Sequence, residues 1–168
     1  MIEKILLKQN MTQAFEHISQ NKGSCGVDGM HLADLRQHLQ ETWEVTYEEV
    51  KTGSYVPEAI LGIEIPKSNG KTRLLGVPTV QDRMIQQAVH QEMVPLFDGD
   101  FSHFSFGFRP GKSAHDAVKQ ALEYINEGYQ SIVDIDLKQF FDEVNHELLL
   151  SLVYQKITCR HTMALIRR

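Results

Sequence analysis

The chain has 168 residues, a formal net charge of −5 at pH 7, and 42% hydrophobic residues. These values indicate one globular domain with a sizeable core, and they exclude a disordered chain and a generally basic nucleic-acid coat. No apolar run approaches the roughly 20 residues of a membrane span, and the N-terminus lacks the pattern of a secretory signal. Two distant cysteines without metal-binding spacing are typical of reduced thiols, so we expect a cytoplasmic protein with no membrane partner.

The charge is unevenly distributed along the chain. Residues 1–66 hold five Lys or Arg against ten Asp or Glu, whereas residues 67–112 hold six against four. Any site for a polyanion is therefore expected as a local groove in the middle of the chain.

The first third of the chain shows helical spacing on both sides of a glycine-rich loop. Residues 2–20 form a loose helical pattern with Thr12 as a possible N-cap, and residues 21–29 break it. Residues 32–50 then carry an amphipathic stripe, and Gly53 is expected to end that helix.

A β-hairpin is predicted next. Apolar residues alternate over residues 61–65, an Asn-Gly turn follows at Asn69, and residues 73–77 read as the returning strand. Lys67, Lys71 and Arg73 lie at its tip. One interpretation is a solvated turn, on which exposed Lys and Arg are common. The alternative is that these cations bind phosphate groups.

A helix over residues 81–97, with Arg83 in its first turn, leads into an aromatic loop. Residues 98–112 contain four phenylalanines together with Arg109 and Lys112. Aromatic rings interleaved with cations can stack on bases and hold a phosphate backbone, or some of the rings can fill the core beneath the loop. Ser113 and Asp116 have the spacing of a capping box at the start of the next helix.

The stretch with the strongest chemical signal lies at residues 129–142. Residues 129–137 are predicted to form a strand whose period of two places Asp134 and Asp136 on one face. Carboxylates at the end of a buried strand, followed by Phe140 and Phe141, suggest half of a metal site. The alternative is that surface aspartates close an edge strand. Asn145 is expected to cap a last helix that extends to about residue 157.

Four motifs in this order make the chain similar to bacterial group II intron-encoded reverse transcriptases. Residues 26–29 (GVDG) resemble the block that ends the N-terminal extension of that family, and residues 65–78 (IPKSNGKTRLLGVP) resemble its fingers hairpin. Asp82-Arg83, followed by residues 104–113 (FSFGFRPGKS), resembles a second fingers block, with Phe106 where tyrosine is more common. Residues 134–142 (DIDLKQFFD) resemble the first palm motif.

The resemblance implies a role for each matching position. Asp136 corresponds to the catalytic aspartate, which with the carbonyl of Ile135 would hold one side of a two-Mg²⁺ site. Phe141 corresponds to the steric gate against ribose, and Lys67 and Arg73 to the residues that hold the incoming triphosphate. The positions expected to contact the RNA template are the following: Arg83, Arg109, Lys112, Gly26 and Gly29. The family commonly has Glu at the position of Asp134. We expect Asp134 to be a supporting acid beside the metal site and not a ligand of the metal.

The resemblance also implies an α+β fold made of reverse-transcriptase fingers and an incomplete palm. Residues 1–128 would be the N-terminal extension and fingers, and residues 129–168 the beginning of the palm. The aromatic-Ala-Asp-Asp hairpin, the thumb and the maturase domain are not in the sequence, and the chain stops at Ile166-Arg167-Arg168 without a helix cap, a breaker or a tail. We therefore expect a fragment of an RNA-directed DNA polymerase that is inactive alone, does not stably hold Mg²⁺, and can self-associate through its unfinished palm sheet.

The expected partners are an intron RNA template, a DNA primer and deoxynucleoside triphosphates. Two alternatives stay open at this point. The chain could be a non-catalytic module for RNA binding or dimerisation, which would not need an acid at position 136. It could also belong to a CRISPR-associated or otherwise domesticated reverse transcriptase.

Overall fold

The fold is a helical core from which a β-hairpin projects. The computed structural model describes residues 1–21, 23–68, 70–137 and 139–168. The elements are listed here in chain order: α1 (Ile2–Ile5), α2 (Lys8–Gln20), α3 (Leu35–Thr52), β1 (Leu61–Pro66), β2 (Thr72–Val77), α4 (Val80–Phe97), a 3₁₀ turn (Asp98–Asp100), α5 (Ala114–Asn126), α6 (Phe140–Glu143), α7 (His146–Tyr154) and α8 (Arg160–Arg167). Helices with one small antiparallel sheet confirm the α+β class at this level.

The helices begin and end where local chemistry satisfies their free backbone groups. Gly53 ends α3 in the left-handed conformation (φ 74°), as predicted, because a residue without Cβ adopts it at little cost. Ser113 and Asp116 form the predicted capping box of α5, and Asn145 caps α7 by accepting from the Leu148 amide. The prediction of Thr12 as an N-cap is wrong, because Thr12 lies inside α2, which begins after Leu7.

The core lies between α2 and α4, with contributions from α1, α3 and α8. Ile5, Ala14, Leu35, Val80 and Ala88 are fully buried there. Their side chains share one continuous cluster that also includes an apolar residue of α8. The hydrophobic effect over this cluster therefore holds α1, α2, α3, α4 and α8 together.

The predicted hairpin is present, and its register is regular. β1 and β2 pair antiparallel from Leu61 opposite Val77 to Pro66 opposite Thr72. Most residues of both strands are exposed, so the hairpin extends from the core as a two-stranded ribbon. Asn69 of the predicted Asn-Gly turn lies outside the described residues, and Gly70 has φ 78°.

The prediction of a strand over residues 129–137 is wrong for this structure. These residues form neither helix nor strand, and Val133 and Ile135 are 83% and 79% exposed. A strand needs a neighbour for its N–H and C=O groups, and within the described ranges the only sheet is the hairpin. The prediction that Asp134 and Asp136 share one sheet face depended on that strand and falls with it, as does the predicted edge of a palm sheet.

The last predicted helix is shorter than expected. α7 ends at Tyr154, and a separate helix, α8, follows and packs against α3. In the part of the chain that the structure describes, no helix is long and apolar enough to cross a membrane.

Candidate nucleic-acid and nucleotide site

The hairpin tip presents the two cations predicted to hold a triphosphate. Lys67 directly follows β1, and its amide donates to the Lys71 carbonyl at 2.6 Å, which closes the turn. Arg73 lies in β2 opposite Ile65. Both side chains are exposed, so the hairpin carries their charges away from the core and into solvent. This placement is compatible with a grip on phosphates, which stays a prediction.

Arg83 and Gly26, both predicted to contact RNA, meet at the N-terminus of α4. The Arg83 guanidinium donates to the Ser24 carbonyl and, at 3.5 Å, to the Thr79 carbonyl. Gly26 is buried, and a Cβ there would lie 2.6 Å from the Thr79 Cα. Arg83 therefore holds the loop of residues 23–34 against the start of α4. The absence of a side chain at Gly26 permits the close approach of the two backbones. Gly29 lies in the same loop, exposed, with φ 69°.

Replacing Gly26 with alanine is expected to destabilise the protein by about 1–3 kcal/mol, the usual cost of overpacking. The new Cβ would meet backbone atoms of Thr79 at 2.6 and 2.8 Å, and backbone cannot move aside as a flexible side chain can. Urea unfolding followed by circular dichroism measures the change. Gly99→Ala is the matched control, because a Cβ at Gly99 would meet nothing within 4 Å. Equal unfolding midpoints for the two variants would contradict the proposed close packing.

Arg109 holds together the segment of residues 98–112, named here the phenylalanine loop. Its Nε donates to an Asp98 carboxylate oxygen at 2.8 Å, and its other nitrogens donate to the carbonyls of Asp98, Ser102 and Ser105 at 2.9, 2.7 and 3.3 Å. Its side chain is 11% exposed and lies 5.4 Å from the Phe101 ring centroid. The hydrogen bond from Arg109 lowers the pKa of Asp98, so the pair stays charged at neutral pH.

The other predicted template residue of this loop also makes an internal contact. Lys112 Nζ donates to the His103 carbonyl at 3.1 Å and lies 5.2 Å from the Phe106 ring centroid. Both Arg109 and Lys112 therefore bind groups within the loop itself. Contact of Arg109 and Lys112 with a template stays a prediction.

The predicted catalytic residues lie on an exposed stretch and on the short helix α6. Asp136 and Ile135 belong to the segment without regular secondary structure before residue 138, and both are exposed. Phe141 is 86% exposed, and its ring lies 5.7 Å from that of Phe140 in an edge-to-face arrangement. The side chains of Asp136 and Phe141 are thus accessible to a bound molecule, and their roles as catalytic acid and steric gate stay predictions.

The donor set fits one side of a magnesium site. A carboxylate and a backbone carbonyl are the hard oxygen ligands that Mg²⁺ prefers, and Asp136 and Ile135 would supply them. In the described residues, no group of three or more His, Cys, Asp or Glu side chains could hold a metal. Two closely spaced divalent ions repel each other and need more carboxylates than this stretch provides.

Asp82 is a structural residue to which the sequence motif gave no role. It is buried in the first turn of α4 and accepts from Tyr55 Oη and Thr79 Oγ1, both at 2.6 Å, and from the Glu58 amide at 3.2 Å. Burial, followed by the hydrogen bond to Asp82, raises the pKa of Tyr55 well above its ordinary range. The sequence pattern did not indicate this network, because Tyr55 precedes Asp82 by 27 residues and the two do not belong to one local motif.

Comparisons with known proteins identify the family to which the chain is similar. Residues 65–168 match the family model described as reverse transcriptase (RNA-dependent DNA polymerase). Protein YkfC of Escherichia coli K12 is 34% identical over 145 residues, which are 84% of this chain and 38% of that protein. The group II intron-encoded protein LtrA of Lactococcus lactis is 31% identical over 145 residues, covering 86% of this chain and 24% of LtrA.

More distant relatives point in the same direction. The nuclear intron maturase 1, mitochondrial, of Arabidopsis thaliana is 26% identical over 102 residues, covering 59% of this chain and 14% of that protein. The chain thus spans about two fifths of YkfC and a quarter of LtrA. The resemblance to group II intron-encoded reverse transcriptases, drawn from the four motifs, is confirmed by these matches. The chain belongs to the reverse transcriptase family.

Proposed function

We propose that this chain is the nucleotide- and template-binding part of an RNA-directed DNA polymerase that copies intron RNA into DNA. The observation that carries the proposal is the family match over residues 65–168, which includes the hairpin cations and the DIDLKQFFD motif. Lys67, Arg73, Asp136 and Phe141 are all exposed, as residues that bind a nucleotide must be.

The chemistry of each of the four side chains suits a different part of the bound nucleotide and its metal ions. Arg73 presents a planar fork of donors and Lys67 a compact point charge, and both suit the oxygens of a triphosphate. Phe141 would exclude the ribose 2′-hydroxyl by its bulk and so select deoxynucleotides. Asp136 and the Ile135 carbonyl would hold one side of the Mg²⁺ site. When bound, the two ions would activate the primer 3′-hydroxyl and neutralise the triphosphate.

The relatives favour an intron setting over a CRISPR-associated or otherwise domesticated one. LtrA is described as encoded by a group II intron, and the plant protein as an intron maturase. We propose accordingly that the protein also binds intron RNA to aid splicing. Its partners would be that RNA, a DNA primer and deoxynucleoside triphosphates.

Self-association remains a further prediction about the partners. Large apolar side chains are exposed on α5, on residues 129–137 and on α7. Burying such a surface against a second copy would be favourable. Because residues 129–137 do not form a strand, pairing of palm edges does not support this prediction, and burial of the apolar surface would have to drive it.

The test is extension of a DNA primer on an RNA template by a chimeric protein in the presence of Mg²⁺. Residues 1–168 would replace the corresponding part of an active relative that supplies the rest of the palm and the thumb. Extension by the chimera is expected, whereas the 168-residue chain alone should extend nothing, because its carboxylate set is incomplete. A chimera that folds, binds the primer–template and adds no deoxynucleotide would contradict the proposed function. Extension by the chain alone would contradict the need for further carboxylates.

A further inference from the structure

The phenylalanine loop has a fixed shape, and Arg109 is the reason. The Arg109 guanidinium joins the C-terminal part of the loop to its first residue, Asp98, and also binds the carbonyls of Ser102 and Ser105 in between. The pair is shielded, because the Arg109 side chain is 11% exposed. One charge-assisted hydrogen bond to the Asp98 carboxylate and three hydrogen bonds to backbone carbonyls restrict the conformations open to the loop. Arg109 therefore acts as a positioning residue for whatever the loop presents.

What the loop presents is Phe108. Its side chain is 106% exposed, and its backbone is in the left-handed region with φ 55°. Both features are unfavourable for a phenylalanine, since its Cβ crowds the backbone and its ring remains in water. An unfavourable conformation held by surrounding bonds is typical of a residue with a binding role.

The surroundings of Phe108 suit a flat aromatic ligand. A cavity of about 470 Å³ opens beside it, lined in part by Phe97, Phe101, Arg109 and Pro110. Its walls are mainly apolar, and the cation of Arg109 lies at its edge. A planar ring system entering this space could stack on the exposed face of Phe108.

The electrostatics around the loop favour a nucleic acid over a cationic partner. The two carboxylates of the adjoining turn are paired, Asp98 with Arg109 and Asp100 with Lys156. Residues 67–112 hold an excess of cations although the chain as a whole is acidic. A phosphate backbone can therefore approach this loop without facing an unpaired acid from the turn.

We propose that Phe108 is a stacking platform for an unpaired base of single-stranded RNA. The inference rests on the proposed function, because it takes RNA as the ligand of the protein. Stacking uses the π-face that every base has, so the contact would tolerate any sequence but would require a strand with accessible bases. Phosphate contacts would come from neighbouring cations, and Phe108 itself would contribute no charge.

The experiment measures the affinity of the 168-residue chain for a fluorescein-labelled 12-nucleotide RNA by fluorescence anisotropy. Phe108→Ala is expected to weaken binding roughly 5- to 100-fold, the range for loss of one base–aromatic stack. Phe108→Trp should retain or improve the affinity. The slope of affinity against salt concentration should not change in Phe108→Ala, because no phosphate contact is removed. Binding of a fully paired RNA duplex should be unaffected by either variant.

Phe104→Ala is the matched control. Phe104 is an exposed phenylalanine of the same loop, 59% exposed, but its ring lies 6.2 Å from that of Tyr124, so a base has less access to it. We expect its affinity to stay within about twofold of the unmodified chain. Circular dichroism should show that both variants are folded, since neither ring is part of the core.

The outcomes separate the inference from the proposed function. If the chain binds RNA and Phe108→Ala binds it equally well, the stacking role is wrong while the proposed function stands. If Phe104→Ala and Phe108→Ala lose the same affinity, the effect belongs to the loop as a whole and the assignment to Phe108 is wrong. If the unmodified chain binds no RNA at any salt concentration, both the inference and the proposed function lose their support.

Discussion

Replacing Asp82 with alanine is expected to lower the free energy of unfolding by about 3–5 kcal/mol, the range for breaking a buried network around a charge. The carboxylate accepts hydrogen bonds from the Tyr55 hydroxyl, the Thr79 hydroxyl and the Glu58 amide. Alanine would leave the hydroxyls of the buried residues Tyr55 and Thr79 without this acceptor, and each unpaired buried group costs about 1–3 kcal/mol. The loss should also loosen the hairpin, because the network joins the start of α4 to residues 55–58, directly before β1.

Urea unfolding, followed by circular dichroism and by the fluorescence of Trp43, measures this effect. Asp34→Ala is the matched control, because Asp34 also precedes a helix but is exposed and makes no capping hydrogen bond with its side chain. Its cost should stay within about 0.5 kcal/mol. Tyr55→Phe removes one donor and should cost about 1 kcal/mol. If Asp82→Ala were no more destabilising than Asp34→Ala, the network would not stabilise the fold.

Replacing Asp136 with asparagine should reduce deoxynucleotide incorporation by the chimeric polymerase about a thousandfold, or roughly 4 kcal/mol of transition-state stabilisation. Asparagine has nearly the same shape but lacks the negative charge that a hard divalent cation requires. The exposed position of Asp136 makes a structural cost small, so the fold should be retained. Single-turnover primer extension measures the rate, and filter binding of the primer–template should show unchanged affinity.

Asp134→Asn provides a matched comparison two residues away. Asp134 is also exposed, and if it only supports the site, its loss should reduce the rate by about threefold or less, as for other exposed charges. A large loss at Asp134 with full activity at Asp136 would reverse the assignment of the two acids. Equal, small effects at both positions would remove this stretch from the catalytic site.

Much of the fold could be predicted from the sequence because its signals are local. Gly53, the capping box at Ser113 and the cap at Asn145 each act within a few residues, and each lies where the pattern predicted it. The hairpin was equally predictable, since alternation and a turn signal define it without reference to the rest of the chain. The strand predicted over residues 129–137 failed for the opposite reason. An alternating pattern shows that a segment could pair, but a strand forms only where a partner strand exists.

The candidate site was less predictable because the sequence does not show which groups its cations bind. A sequence shows that Arg83 and Arg109 are present, but not whether their donors face solvent or the chain itself. In the structure, Arg83 binds the Ser24 carbonyl, 59 residues away, and Arg109 binds Asp98, 11 residues away. Neither pair of residues lies within one helix or strand, so a pattern of local spacing could not have identified the partners. The exposure of Phe108 was hidden in the same way among four phenylalanines of one loop.

The packing of α8 on α3 has a consequence for synthesis of the protein on the ribosome. Leu165 belongs to the same buried cluster as Ile2, Leu35 and Val89. At ordinary rates of translation, roughly 4 to 15 seconds separate the appearance of Val89 from that of Leu165. During that interval the apolar side of the early helices that α8 later covers stays open to water. The nascent chain should therefore be a substrate for chaperones that bind exposed apolar segments. We expect the chaperone to dissociate only after α8 has been synthesised and has packed on the core.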